Sequence, residues 1–215
     1  MHDQILNTLA TKSSNKQLVH RQVLQTFDVL KDVLCQVATA LNDKICEIDR
    51  NVVVEYEERG PHEVAITFSG DTLVFFVHTN AFRLPVTHHL ANSAYVRSDE
   101  NRKFYGLIHA YNFLRDSLQM QRLNDTGALL SRLLINGEGH YFAEGQQGLA
   151  MPITQQAIDA EVLKSWIERL MIQAMRMDLV VAPFDALRDI SVMELEGLRA
   201  EAKQRTSKQL GFRPS

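Results

Sequence analysis

"VVVEYEERGPHEVAITFSGDTLVFFVHT", Val52 to Thr79, is the stretch on which the fold class turns. Val52, Val54 and Tyr56 alternate with Val53, Glu55 and Glu57, and after Gly60-Pro61 the same period returns as Val64, Ile66 and Phe68 against Ala65, Thr67 and Ser69. A period of two sends successive side chains to opposite faces of a strand. Gly60-Pro61 and Gly70-Asp71 are turn formers, and links this short join strands in antiparallel order. Leu73 to Thr79 is then a third strand. Its LVFFVH run is apolar on both faces, which predicts a central strand covered on each side.

Upstream the period changes. Between Ser14 and Ile48, Val23, Phe27, Leu30, Leu34, Val37, Leu41, Ile45 and Ile48 recur in steps of three and four, the stripe of one long amphipathic helix. Ser14 or Asn15 is suited to cap its start and Asn51 to end it. A short separate turn at Asp3 to Ala10 precedes it. The stripe is wide enough to lie on the sheet, with a second copy of the chain as an alternative mate for the remaining face.

Downstream, Pro85 to Lys103 is polar and aperiodic and reads as a surface excursion. Phe104 to Leu114 resumes as a buried strand, with Tyr105, Leu107, His109, Tyr111 and Phe113 on one face and Phe104, Ile108, Ala110 and Leu114 on the other. Ser117 to Leu123 is read as a further strand. Leu129 to Ile135 and His140 to Glu144 form a hairpin around Asn136-Gly137, the residue pair that most readily takes positive φ at both central turn positions. From Thr154 a helical stripe returns through Ile158, Val162, Trp166, Ile167, Leu170, Met171 and Ala174 until Pro183 breaks it. Ser191 to Glu194 has the capping-box pattern of one more helix. The expected architecture is α+β: a long N-terminal helix on a largely antiparallel sheet of about six strands, followed by two C-terminal helices. Residues 1–182 form one domain and 183–215 a helical appendage with a basic end.

Motifs for chemistry fail on inspection. Gly137-Glu-Gly139 lacks the third glycine and the following helix of a dinucleotide fingerprint, since Phe142 stands at that place and a strand follows. His62-Glu63 begins a zincin pattern, but Ile66 occupies the second histidine's position. Ser13 to Lys16 matches the serine-lysine pattern without its companion motifs. No pattern assigns a cofactor or a metal. What remains is a set of polar aromatics and imidazoles in strands that otherwise read as buried: His78, His109, His140, Glu144, Tyr105 and Tyr111. If the strands are neighbours in register, these line one pocket on the sheet, suited to a small ligand or to metal-assisted hydrolysis.

The formal charge is −3, with 45% hydrophobic and 23% charged residues, which describes an ordinary folded chain without general attraction for nucleic acid or anionic lipid. The one local basic excess, containing Lys203, Arg205 and Lys208, lacks interleaved aromatic residues for stacking on bases. Nucleic-acid and membrane partners are therefore not expected. The start carries no basic and apolar leader pattern, and Cys35 and Cys46, roughly 16 Å apart along one helix, cannot pair with each other. A cytoplasmic location follows as the expectation. The leading functional expectation is a non-enzymatic binding protein that self-associates or joins a larger assembly, with Phe27, Leu34, Leu41, Met171 and Met175 as interface candidates.

Overall fold

The structure, a computed structural model, describes residues 1–146, 148–179, 183–186, 189–193 and 195–196. Helix α1 (His2–Thr8) runs through a π-turn at Leu9–Ser13 directly into α2 (Ser14–Ile48). The expected cap at Ser14 or Asn15 does not form, because a continuing helix leaves no orphan N–H groups there. Ser14 Oγ instead donates to the Leu9 carbonyl, and Asn15 Nδ2 donates to the Asn101 carbonyl. The far end stops where Asp49 turns extended and its carboxylate accepts the Asn51 amide.

Strands β1 (Val54–Glu58), β2 (Glu63–Phe68) and β3 (Asp71–Val77) form the meander that their alternation dictates. The two-residue β4 (Phe82–Arg83) and the short helix α3 (Ala94–Arg97) follow, then the long β5 (Phe104–Leu114). Helix α4 (Arg115–Gln119), β6 (Ala128–Ile135), β7 (Tyr141–Gly145) and α5 (Ala160–Met175) complete the described elements of regular length. The seven-stranded sheet has the order β1-β2-β3-β5-β6-β7, with β4 paired along β5. Every strand pairing is antiparallel.

Helices α2 and α5 cover one face. Phe27, Leu30 and Leu34 of α2 and Leu163, Trp166 and Leu170 of α5 bury against Ile66, Leu73, Phe75, Ile108 and Leu133 of the strands. Gly106 lets α2 come close: a Cβ there would stand 2.8 Å from Val23. Between β5 and β6 the register slips at Ala110/Tyr111. The extra residue on β6 lets Leu130 enter the core while Ser131 Oγ accepts the Trp166 indole N–H at 3.2 Å. Phe27, Leu34 and Met171 are thus spent in the chain's own core, and only Leu41 and Met175 of the interface candidates are exposed.

Three readings need correction. Ser117 to Leu123 is not a strand: Arg115 to Gln119 is helical and Gln121 has a positive φ, which breaks any continuing ladder. Pro85 to Lys103 is not a mere surface loop, since it folds into short helical turns and buries Tyr95 and Val96. Helix α5 starts at Ala160 and not at Thr154, with the Asp159 carboxylate accepting the Val162 amide; upstream, Met151 bridges to Ala143 of β7 and Ala157 to His140. Most of the 183–215 appendage, including Lys203, Arg205 and Lys208, lies outside the described residues. Among the described residues, no helix is long and apolar enough to cross a membrane.

Candidate functional site

The outer face of the sheet, opposite α2 and α5, carries every candidate pocket residue. The excursion between β3 and β5 folds over one end of this face and closes a second apolar cluster of Leu84, Tyr105, Leu107, Leu134 and Phe142. Two polar joints hold it down.

The first joint centres on Tyr95 of α3 and the β6–β7 turn. Asn136 and Gly137 do not take the twin positive φ expected of them. The left-handed residue is Gly139, φ +77°, with its amide donating to the Asn136 carbonyl at 3.1 Å. This is a three-residue turn with a glycine bulge. The Asn136 side chain is spent on organising the turn: Oδ1 accepts the Glu138 and His140 amides, and Nδ2 donates to the Tyr95 hydroxyl at 2.8 Å. That hydroxyl donates to Glu138 Oε2 at 2.9 Å and lies 2.5 Å from His140 Nδ1. With the single phenol proton given to the carboxylate, the Nδ1–H of His140 is the donor in the last contact. Arg102 forks onto Glu138, Nε to Oε2 at 2.8 Å and Nη2 to Oε1 at 3.0 Å, and lies over the Tyr95 ring. Burial pushes the Tyr95 phenol up to about 12, and the Arg102 hydrogen bond holds Glu138 below the usual carboxylate range. Close by, Tyr105 is buried with its hydroxyl unpartnered among the described residues, and burial raises its pKa also.

The second joint is His88 on Glu144 of β7. His88 Nδ1 accepts the Leu90 amide at 3.2 Å, so its Nε2–H is the group that meets Glu144 Oε1 at 2.6 Å. Arg132 Nε takes the other carboxylate oxygen. Burial alone would raise the Glu144 pKa, but the hydrogen bonds from His88 and Arg132 outweigh it and hold it low. Both His88 nitrogens are engaged, so this imidazole has no free nitrogen with which to take a substrate proton.

The expected pocket does not assemble. His140 sits at the hairpin end, bound to Tyr95, whereas His109 lies in the row Glu63–Phe76–His109–Arg132–Glu144 and stacks on Tyr111. His78 closes the end of β3, its Nδ1 accepting the Asn80 amide and its ring packed on Phe82. Tyr105 lies under the excursion and Glu144 belongs to His88 and Arg132. Among the described residues, no three His, Cys, Asp or Glu side chains are close enough to share a metal. The three imidazoles fail to converge because their strands place them at different heights of the face.

Beyond the excursion the outer face is open. Its middle row runs Ala65–Val74–Tyr111–Leu129, with Phe76 and Phe113 to either side. Phe76 is 39% and Leu129 40% exposed. The double-sided cover that the LVFFVH run predicts is therefore present only in part.

Sequence reasoning missed Tyr95, Arg102, Asn136, Glu138, His88 and Arg132. Glu138 between two turn glycines was a signal of a presented carboxylate, but no spacing linked it to Arg102. No protein-family model, curated protein or solved structure matches the chain.

Proposed function

We propose that this chain is a cytoplasmic binding protein that acts through protein contact, as a homo-oligomer or a subunit of a larger assembly, with the open half of the outer sheet face as its contact surface. The observation that carries the reading is the exposure of Phe76 and Leu129 on a face where the half-buried Tyr111 and Phe113 extend the apolar surface. Large apolar side chains grouped on one face mark interaction surfaces in folded proteins. The polar groups at the covered end of the same face are committed to structure: His88, Glu144, Tyr95 and Glu138 tie the excursion to the sheet.

Light scattering across a dilution series tests it. The wild type is expected to exceed one chain mass at high concentration, and Phe76→Glu to stay at one chain mass with an unchanged melting temperature. A wild type that remains a single chain throughout sinks the self-association reading.

One observation favours a second reading, a small-ligand site at the hairpin. His140 is braced on Nδ1 by Tyr95, while Nε2 makes no hydrogen bond among the described residues. A fragment screen followed by His140 ring shifts decides it; a ligand that shifts other residues and leaves His140 unmoved rejects it.

A further inference from the structure

One row of the outer face carries charge at both of its ends. At the end of β1 the Arg59 amide donates to the Glu63 carbonyl at 3.0 Å, which extends the row Glu63–Phe76–His109–Arg132–Glu144 by one residue. From β1 to β7 the row runs cation, anion, Phe76, His109, cation, anion. Each end is an ion pair within the chain: Arg59 stands 3.6 Å from Glu63, and Arg132 Nε meets Glu144. The Glu63 side chain is 34% and that of Arg132 43% exposed, beside Phe76 at 39%, so both pairs are within reach of a partner surface.

Reversal of this row puts an opposite charge at every charged place. A second copy laid face to face about a two-fold axis parallel to the strands presents the row in that reversed order. Glu63 then lies opposite the partner's Arg132, Arg59 opposite the partner's Glu144, and Phe76 opposite the partner's His109. In the next row Ala65 meets the partner's Leu129 and Val74 the partner's Tyr111, apolar on apolar. A two-fold axis across the strands instead stacks each strand on its own copy. That sets Glu55 and Glu57 of β1 against themselves, which like charge opposes. Facing sheets stand about 10 Å apart, and the excursions permit this spacing. Their apolar cluster rests on Tyr105 and Leu107 of β5, Leu134 of β6 and Phe142 of β7, so reversal places the two excursions side by side.

We infer that the partner of the outer face is a second copy of this chain, bound in this register as a symmetric dimer. The apolar centre closes the contact and the two reversed ion-pair rows set its alignment. The inference rests on the self-association reading above and adds to it the partner and the register.

The test is sedimentation equilibrium of the full chain as wild type, as Glu63→Arg, as Arg132→Glu, and as an equimolar mixture of the two variants. Alone, each variant sets like charges at both Glu63–Arg132 contacts, and its dimer is expected to be about a hundredfold weaker than that of the wild type. In the mixture every contact joins opposite charges again, so a mixed dimer should form at the concentrations that suffice for the wild type. A misfolded variant cannot give that recovery. If Arg132→Glu unfolds through loss of the Glu144 pair, Glu63→Gln takes its place: the wild-type dimer should weaken as salt rises, and the Glu63→Gln dimer should respond less. A wild type that stays a single chain overturns both the self-association reading and the register. A wild-type dimer whose variants fail to complement each other, or whose salt response Glu63→Gln leaves unchanged, overturns the register alone.

Discussion

The Tyr95 hydroxyl lies 2.5 Å from His140 Nδ1, joining a residue of the excursion to one at the foot of the β6–β7 turn. Because Asn136 and Glu138 meet the same oxygen, one phenol coordinates three side chains of a single turn. Tyr95→Phe keeps the ring and removes the hub. The loss leaves buried polar groups without partners, at a cost of about 1–3 kcal/mol in urea denaturation. Amide exchange across 84–103 should accelerate as well, and unchanged exchange there would show that the excursion is held by its apolar contacts alone.

The turn itself separates two glycines. Gly139 has positive φ, and a Cβ on it would stand 3.2 Å from Gln22 Nε2 and 3.3 Å from Ala157 Cβ, whereas Gly137 has ordinary φ and would meet the Leu18 side chain at 3.1 Å and Asn15 Oδ1 at 3.5 Å. Gly139→Ala is expected to cost about 1–2 kcal/mol from the left-handed backbone alone. Gly137→Ala should cost less, since Leu18 is exposed and can move. Equal melting temperatures for the two variants contradict the turn assignment.

Ser131 links the core to the sheet by donating to the Glu144 carbonyl at 2.7 Å while accepting from Trp166. Ser131→Ala strands the indole N–H in the core, and about 1–3 kcal/mol of stability is expected to go. The chain has one tryptophan, so its emission reports this site alone. A spectrum and denaturation midpoint identical to those of the wild type would mean that the hydrogen bond contributes nothing.

Acid should weaken the fold in two stages. Burial, then Arg132 and His78, lowers the His109 pKa, so the unfolded chain takes up its proton first and stability falls as pH drops below about 6.5 towards the folded value. Glu144, held low by His88 and Arg132 against burial, contributes stability that is present above about 4.3 and lost as pH falls through its folded pKa. His109→Gln is expected to flatten the stability profile between neutral pH and about pH 5, the region below the ordinary histidine value. Glu144→Gln should flatten only the more acid part. Profiles that coincide with the wild type in both windows contradict these assignments.

Val52 to Thr79 shows how far local pattern reaches. Period-two alternation and glycine turns specify an antiparallel meander because each depends on a few neighbouring residues, and the stripe from Val23 to Ile45 specifies a helix for the same reason. The sheet face was legible too: Tyr105, Leu107, His109, Tyr111 and Phe113 do share one side of β5. What they meet there was not legible. Arg102 and Glu138 are separated by 36 positions and pair only because the excursion folds back across the sheet. The same distance effect carried His88 to Glu144 and left His78, His109 and His140 apart, since strand order and the path of a long connection decide which side chains reach one another. Alternation in the sequence by itself determined which residues point to the outer face; only tertiary packing decided which half of that face is covered and which stays open.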